Sequence, residues 1–198
     1  ENLKPFHFNN YNLENHNVTI SRTGFSGDLG YEIWCEPSQA IDVWDSLFKF
    51  NRDYKVLAAG MNALEMVRIE AGFIQPNADF MSAEQALRPN RMRNPYELGL
   101  GWLVNLDKDY FTGKTALIKI KQKPLEKKLV GLDIQGDKPA IGSVLYDEQK
   151  EEIGIVTAAM WSPTLKSNIE IGYVNKDFMK IGSTVYAEIY HPEELEYK

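Results

Sequence analysis

Cysteine is nearly absent from this 198-residue chain. Cys35 stands alone, so no internal disulfide can form and a reducing compartment is expected. There is no run of about 18 apolar residues and no charged-then-apolar leader is visible, so neither a membrane-spanning helix nor a secretory peptide is expected within these residues, although a leader or a whole domain could precede Glu1. A cytoplasmic location with no membrane partner is the expectation. Positive charge is in deficit: 22 Lys and Arg face 28 Asp and Glu, for a net charge of −6, which argues against a nucleic-acid partner. The histidines His7, His16 and His191 are scattered, and neither H-x-x-x-H nor C-x-x-C occurs, so no metal site is expected. No internal repeat or low-complexity tract interrupts the chain.

What is present is organised around Ser21-Arg22-Thr23-Gly24-Phe25-Ser26-Gly27-Asp28-Leu29-Gly30-Tyr31-Glu32-Ile33-Trp34. Three glycines spaced three apart separate two short strand-like runs, Val18–Ile20 and Tyr31–Cys35, which predicts a β-hairpin with a long turn. Alternation places Tyr31, Ile33 and Cys35 on one face and Glu32 with Trp34 on the other. Cys35 therefore reads as a core thiol. The spacing is G-x-x-G-x-x-G and a strand follows it, so there is no helix N-terminus to receive the phosphate of a dinucleotide.

Elsewhere the patterning is mixed. Residues 1–17 read as a connecting strand or linker. Pro37-Ser38 begins a helix, with Ser38 as N-cap and Ile41, Trp44, Leu47 and Phe48 as its buried face. A second helix is predicted over Met61–Ala71, stopped by Gly72, with Gly60, Leu64, Val67 and Ala71 in one stripe and Arg68 at its edge. Pro76, Pro89 and Pro95 make 73–97 an extended loop. Leu98–Leu106 reads as a strand containing Trp102, and Thr112–Lys121 as a short helix. The Lys/Pro stretch from Lys121 to Lys128 marks a domain boundary, giving domains 1–121 and 126–198. Beyond it the runs Leu129–Ile134, Ser143–Tyr146, Ile153–Ala159, Ile169–Val174 and Thr184–Ile189 predict a small all-β barrel or sandwich, with Trp161-Ser162-Pro163 breaking it as a loop.

Residue types alone leave the chemistry open. Glu32 is either a solvent-facing carboxylate beside a turn or an acceptor for a guanidinium or 2-amino-4-oxo pterin edge, with Trp34 packed on the same ring. Arg68 is either a boundary arginine paired with Glu65 or a ligand group. Arg88, Arg91 and Arg93 are either a solvated loop or a cluster that meets a carboxylate-bearing ligand.

Five stretches, in order, resemble the glycine-cleavage T-protein, or aminomethyltransferase, family. Ser21 to Ile33 is similar to its S-R-T-G-Y/F-T/S-G-x-x-G-Y/F-E-I/V signature. Val67-Arg68-Ile69-Glu70-Ala71-Gly72 is similar to L-R-L-E-A-G. Pro95 to Val104 resembles P-x-E-A-G-L-G-W-x-V, Phe111 to Leu117 resembles F-x-G-K/R-x-A-L, and Ser162 to Val174 resembles the S-P-x-L barrel motif. The likeness covers nearly the whole chain.

The resemblance implies an α+β fold: a partial folate-binding α/β region followed by a small C-terminal antiparallel β-barrel. It implies tetrahydrofolate as cofactor, Glu32 holding the pterin ring, Trp34 and Phe25 as aromatic walls, Arg68 at the ligand site and Tyr31 near it. The family's catalytic aspartate belongs to an N-terminal half outside these residues, so the catalytic residue is unknown and this portion alone is expected to be inactive. The chain also stops before the family's closing P-F-Y/F tail. The implied partners are that N-terminal half, a small methyl or aminomethyl donor and a lipoyl carrier protein. The Ala86–Asn94 loop, with three arginines where the family keeps a shorter acidic stretch, points to a relative acting on another one-carbon donor. The alternatives are a non-catalytic folate-binding regulatory module and the folate domain of a flavin-linked N-methyl amine oxidase.

Overall fold

A computed structural model of the chain describes residues 3–49, 54–88, 91–136 and 138–189. It is α+β and divides into two compact units, Glu1–Phe73 and Ile74–Lys198.

The first unit is a three-stranded antiparallel sheet with two helices. Strand β1 (Phe8–Leu13) pairs with β2 (His16–Ser21), which pairs with β3 (Glu32–Trp34). The N-terminal segment is thus a paired strand and not a linker. Glu14 and Asn15, both at positive φ, form the two-residue turn whose twist suits adjacent antiparallel strands. Helix α1 (Ala40–Lys49) follows a 3-10 turn at Pro37–Gln39. Glu36, not Ser38, occupies the cap position of that turn, and no side chain caps it. Lys49 forms an ion pair with Glu14, which ties the end of α1 to the β1–β2 turn.

The expected buried face of α1 is corrected. Val43 and Ser46 are buried, whereas Ile41 and Trp44 are 76% and 54% exposed. Leu47 and Phe48 are half-buried, so the apolar stripe is covered at one end and open at Ile41 and Trp44. Helix α2 (Met61–Glu70) behaves similarly: Arg68 and Ile69 are buried and Leu64 is at the surface. Gly72, at φ 70°, ends the helix, and the Phe73 N–H closes on the Arg68 carbonyl.

The second unit begins with a long loop. Gly101–Leu103 is a 3-10 turn and not part of a strand. A side chain on Gly101 would meet the Tyr96 ring at 2.8 Å, so the chain bends tightly over Tyr96 and leaves Trp102 exposed. Helix α3 (Lys114–Lys121) leads to β4 (Lys127–Leu132), β5 (Val144–Tyr146), β6 (Glu152–Ser162), β7 (Ser167–Asn175) and β8 (Tyr186–Ala187). These form one antiparallel sheet in the order β4-β7-β6-β5-β8. Strand β6 runs through Trp161 and Ser162, and the turn begins at Pro163, so the expected break at Trp161 is displaced. Leu145, Ile153, Val156, Ala159, Val174 and Ala140 form the core.

A bulge in β6 falls at Thr157, where its pairing to β7 shifts. Thr157 Oγ1 lies 3.1 Å from Asp79 Oδ1 and 3.0 Å from the Ile171 carbonyl, while Asp79 Oδ2 accepts from the Gln75 N–H at 2.7 Å. The proline-rich loop is thereby fastened to the sheet.

Candidate functional site

The glycine turn joins β2 to β3, and its geometry explains the spacing. Gly24 and Gly30 face each other across the loop: a Cβ on Gly24 would stand 3.2 Å from the Gly30 Cα. Gly27, at φ 81°, lies against helix α2, where a Cβ would meet the Ala71 Cβ at 2.5 Å. What approaches the glycine backbone is therefore the chain itself. Phe25 stacks on Phe73 with centroids 5.5 Å apart and planes inclined at 29°, fixing the turn to the end of α2.

Sheet register sets the exposed side of the turn. Ser21 pairs with Glu32 and Thr19 with Trp34, so these four share one face, while Ile20 and Ile33 take the other. Glu32 is exposed, and Trp34 is 63% exposed. The Thr23 hydroxyl bonds Glu32 Oε2, and Ser21 Oγ reaches the same oxygen at 3.4 Å. Ser21 Oγ also lies 2.7 Å from Thr23 Oγ1; two hydroxyl protons serve these contacts, so Ser21 donates to Thr23 while Thr23 donates to Glu32. Among the described residues no donor reaches Oε1, so that oxygen and the remaining lone pair of Oε2 stay open to incoming donors. Sequence reasoning did not single out Ser21 and Thr23; their only signal was a hydroxyl at either side of Arg22, ahead of the turn.

Tyr31 lies just before β3 with about half its surface exposed, and Cys35 is half-buried. Arg68 is placed differently from these. It is 0% exposed, pairs with Glu65 and donates to the Phe73 carbonyl at 3.0 Å. The arginine thus holds the residue on which Phe25 stacks.

The basic cluster separates. Arg88 and Arg91 are exposed, whereas the Arg93 guanidinium sits 5.1 Å from the centroid of the Tyr173 ring. Burial pushes the Tyr173 phenol up to about 12 against the opposing pull of Arg93. Among the described residues no cluster of His, Cys, Asp or Glu could hold a metal, and no helix is long and apolar enough to cross a membrane.

These features define an α+β protein with an exposed carboxylate–indole surface and a separate antiparallel β domain. The family described as GCVT N-terminal domain matches residues 1–108, and the glycine cleavage T-protein C-terminal barrel domain matches residues 127–196. An aminomethyltransferase of Halothermothrix orenii is 36% identical over 186 residues, 93% of this chain and 49% of that protein. A trimethylamine-oxide aldolase of Ruegeria pomeroyi is 36% identical over 170 residues, 85% of this chain and 20% of that protein. The crystal structure of glycine cleavage system aminomethyltransferase T from Bartonella henselae superposes with a TM-score of 0.76 at 27% identity, covering 87% of this chain and 45% of that one. The chain belongs to the glycine cleavage T-protein family, and it spans about half the length of the aminomethyltransferases it matches.

Proposed function

We propose that this chain is the tetrahydrofolate-binding portion of a T-protein-like transferase that moves a methyl or aminomethyl group from a small donor onto tetrahydrofolate. One observation carries the reading: Glu32 is exposed beside Trp34 on one sheet face, with the two hydroxyls confined to its Oε2. A fixed carboxylate with Oε1 open and a lone pair left on Oε2 suits the paired N–H donors of a pterin edge, and an adjacent indole suits its flat face. Phe25 and Tyr31 complete the aromatic surround. Arg68 serves the site through Phe73 and Glu65. The folate region runs over 1–121 and the barrel domain over 126–198.

The remaining half of the protein supplies the catalytic residue and the rest of the pocket, and it packs on the bare side of α1 at Ile41 and Trp44. A lipoyl carrier protein is one candidate bearer of the one-carbon unit, and the cytoplasm is the proposed location. Calorimetric titration of the full-length natural polypeptide with tetrahydrofolate tests the reading: saturable 1:1 binding is expected, and no heat of binding contradicts it.

A second reading draws on the Ruegeria relative, in which the matched region is only a fifth of a longer protein. The same region then serves as a folate module beside another domain, either regulatory or collecting the one-carbon unit released by a flavin-linked oxidase. Flavin absorbance in the purified full-length protein favours the oxidase form.

A further inference from the structure

The inward face of β7 ends in two polar side chains. By alternation Val174, Gly172, Glu170 and Asn168 share one side of the strand, and Val174 belongs to the hydrophobic core. Glu170 and Asn168 are each 2% exposed. Their ladder neighbours bring no charge: Leu132 and Ala159 flank Glu170, and Trp161 stands opposite Asn168.

Both side chains reach the loop that joins β4 to β5. Glu170 Oε2 accepts from the Ile134 N–H at 3.2 Å. Asn168 Nδ2 donates to the carbonyls of Gly136 at 2.9 Å and Lys138 at 3.3 Å. Those two carbonyls fix the orientation of the amide, because exchanging its oxygen and nitrogen would set an acceptor against two acceptors. Asn168 Oδ1 is then left without a donor, and so is Glu170 Oε1. Asn168 and Glu170 lie two residues apart on one strand face, which puts their Cα atoms about 7 Å apart, a gap that a Glu and an Asn side chain can span. Buried acceptors without donors are costly, and an ionised Glu170 would have only the Ile134 and Ala140 amides to offset its burial.

One proton removes both defects. We propose that Glu170 is held as the neutral acid and donates from Oε1 to Asn168 Oδ1, so that the pair forms a proton-dependent clasp on Ile134, Gly136 and Lys138 of the β4–β5 connection.

The surroundings agree. Burial is the main cause that raises the Glu170 carboxyl, to about 7, with the Asp133 charge pushing the same way and the Ile134 and Ala140 amides opposing. Lys138 is the cation of the described loop, and it meets Asn168 through its carbonyl. The folded state therefore holds this proton more tightly than the unfolded chain, in which a glutamate titrates at about 4.3. The clasp's contribution to stability is complete below that value, falls as pH rises toward about 7, and is gone above it. Ionised Glu170 no longer bonds Asn168, so the loop opens more readily and the Ile134 amide is exposed more often. The same loop, through Asp133, Ile134 and Gln135, lines a cleft of about 970 Å³ together with Phe178 and Tyr186, so releasing it loosens one cleft wall.

Thermal unfolding and amide exchange of the 198-residue chain test the clasp, with Glu170→Gln as the permanently neutral mimic. From about pH 5 to about pH 8 the parent should lose melting temperature and roughly tenfold in protection at Ile134 and its loop neighbours, after correction for intrinsic exchange. Glu170→Gln should keep that protection and flatten the melting profile. Equal slopes in parent and variant overturn the proposal. Should the variant fail to fold, infrared difference spectra of the parent decide alone. A hydrogen-bonded carboxylic-acid band that disappears near pH 7 supports the clasp, and an ionised carboxylate throughout that range overturns it.

Discussion

Gly24 and Gly30 meet backbone to backbone, so close that a Cβ on Gly30 would lie 3.3 Å from the Gly24 Cα. The contact closes the turn into a loop and brings β3 back beside β2, with Ser21 opposite Glu32. The glycines act as packing surfaces, and the acidic site depends on them at one remove.

Gly27→Ala should be the most damaging single change in the turn. It combines a positive φ with a collision against Ala71, and a cost of about 1–3 kcal/mol is expected. Urea unfolding measures it. An unchanged midpoint would show that the turn is free to lift away from α2.

Much of this turn was legible in the sequence because its causes are local: glycine spacing, flanking β-branched residues and strict alternation after Gly30. Strands β4 to β8 were legible for the same reason. The strand expected around Trp102 failed because a side-chain ring, Tyr96, and not the local pattern decides the path there. The α1 stripe was correctly read as apolar, but only Leu47 and Phe48 are part-covered while Ile41 and Trp44 are exposed, since periodicity reveals which face is apolar and not how much of it is covered. Ser21 and Thr23 escaped notice because their bond to Glu32 exists only in the folded register. The inward position of Glu170 escaped for that reason too.

Asp79→Ala should loosen the second unit. It removes the acceptor for the Gln75 amide and for Thr157, at 1% exposure, and a loss of about 2–4 kcal/mol is expected. Chemical unfolding with an unchanged slope and a lowered midpoint would confirm it. A midpoint within error of the parent would show that the loop is fastened elsewhere.

Arg68→Met should weaken the link between α2 and the turn. The guanidinium is buried, but Glu65 is 37% exposed, so solvent screening limits the expected loss to about 1–3 kcal/mol. Near-ultraviolet circular dichroism should report altered Phe25–Phe73 packing. An unchanged aromatic signal with full stability would place Arg68 outside the support of this site.

Trp44→Lys distinguishes a bare surface from an interface. In the 198-residue chain the stability change should stay within about 0.5 kcal/mol, because the indole is already half exposed. In the full-length protein the same change should cost about 2–4 kcal/mol by exposing a packed face. Equal effects in both contexts would mean that nothing covers α1.

The central claim is that Glu32 grips the pterin of tetrahydrofolate. The most direct measurement is the tetrahydrofolate affinity of the full-length protein with and without Glu32→Ala, by calorimetry at one pH and ionic strength. Losing the fixed acceptor should weaken binding by about 2–4 kcal/mol, roughly 30- to 1,000-fold in Kd, with the fold intact by circular dichroism. An unchanged Kd would make Glu32 a carboxylate that only flanks the turn, and the account of this site would be wrong.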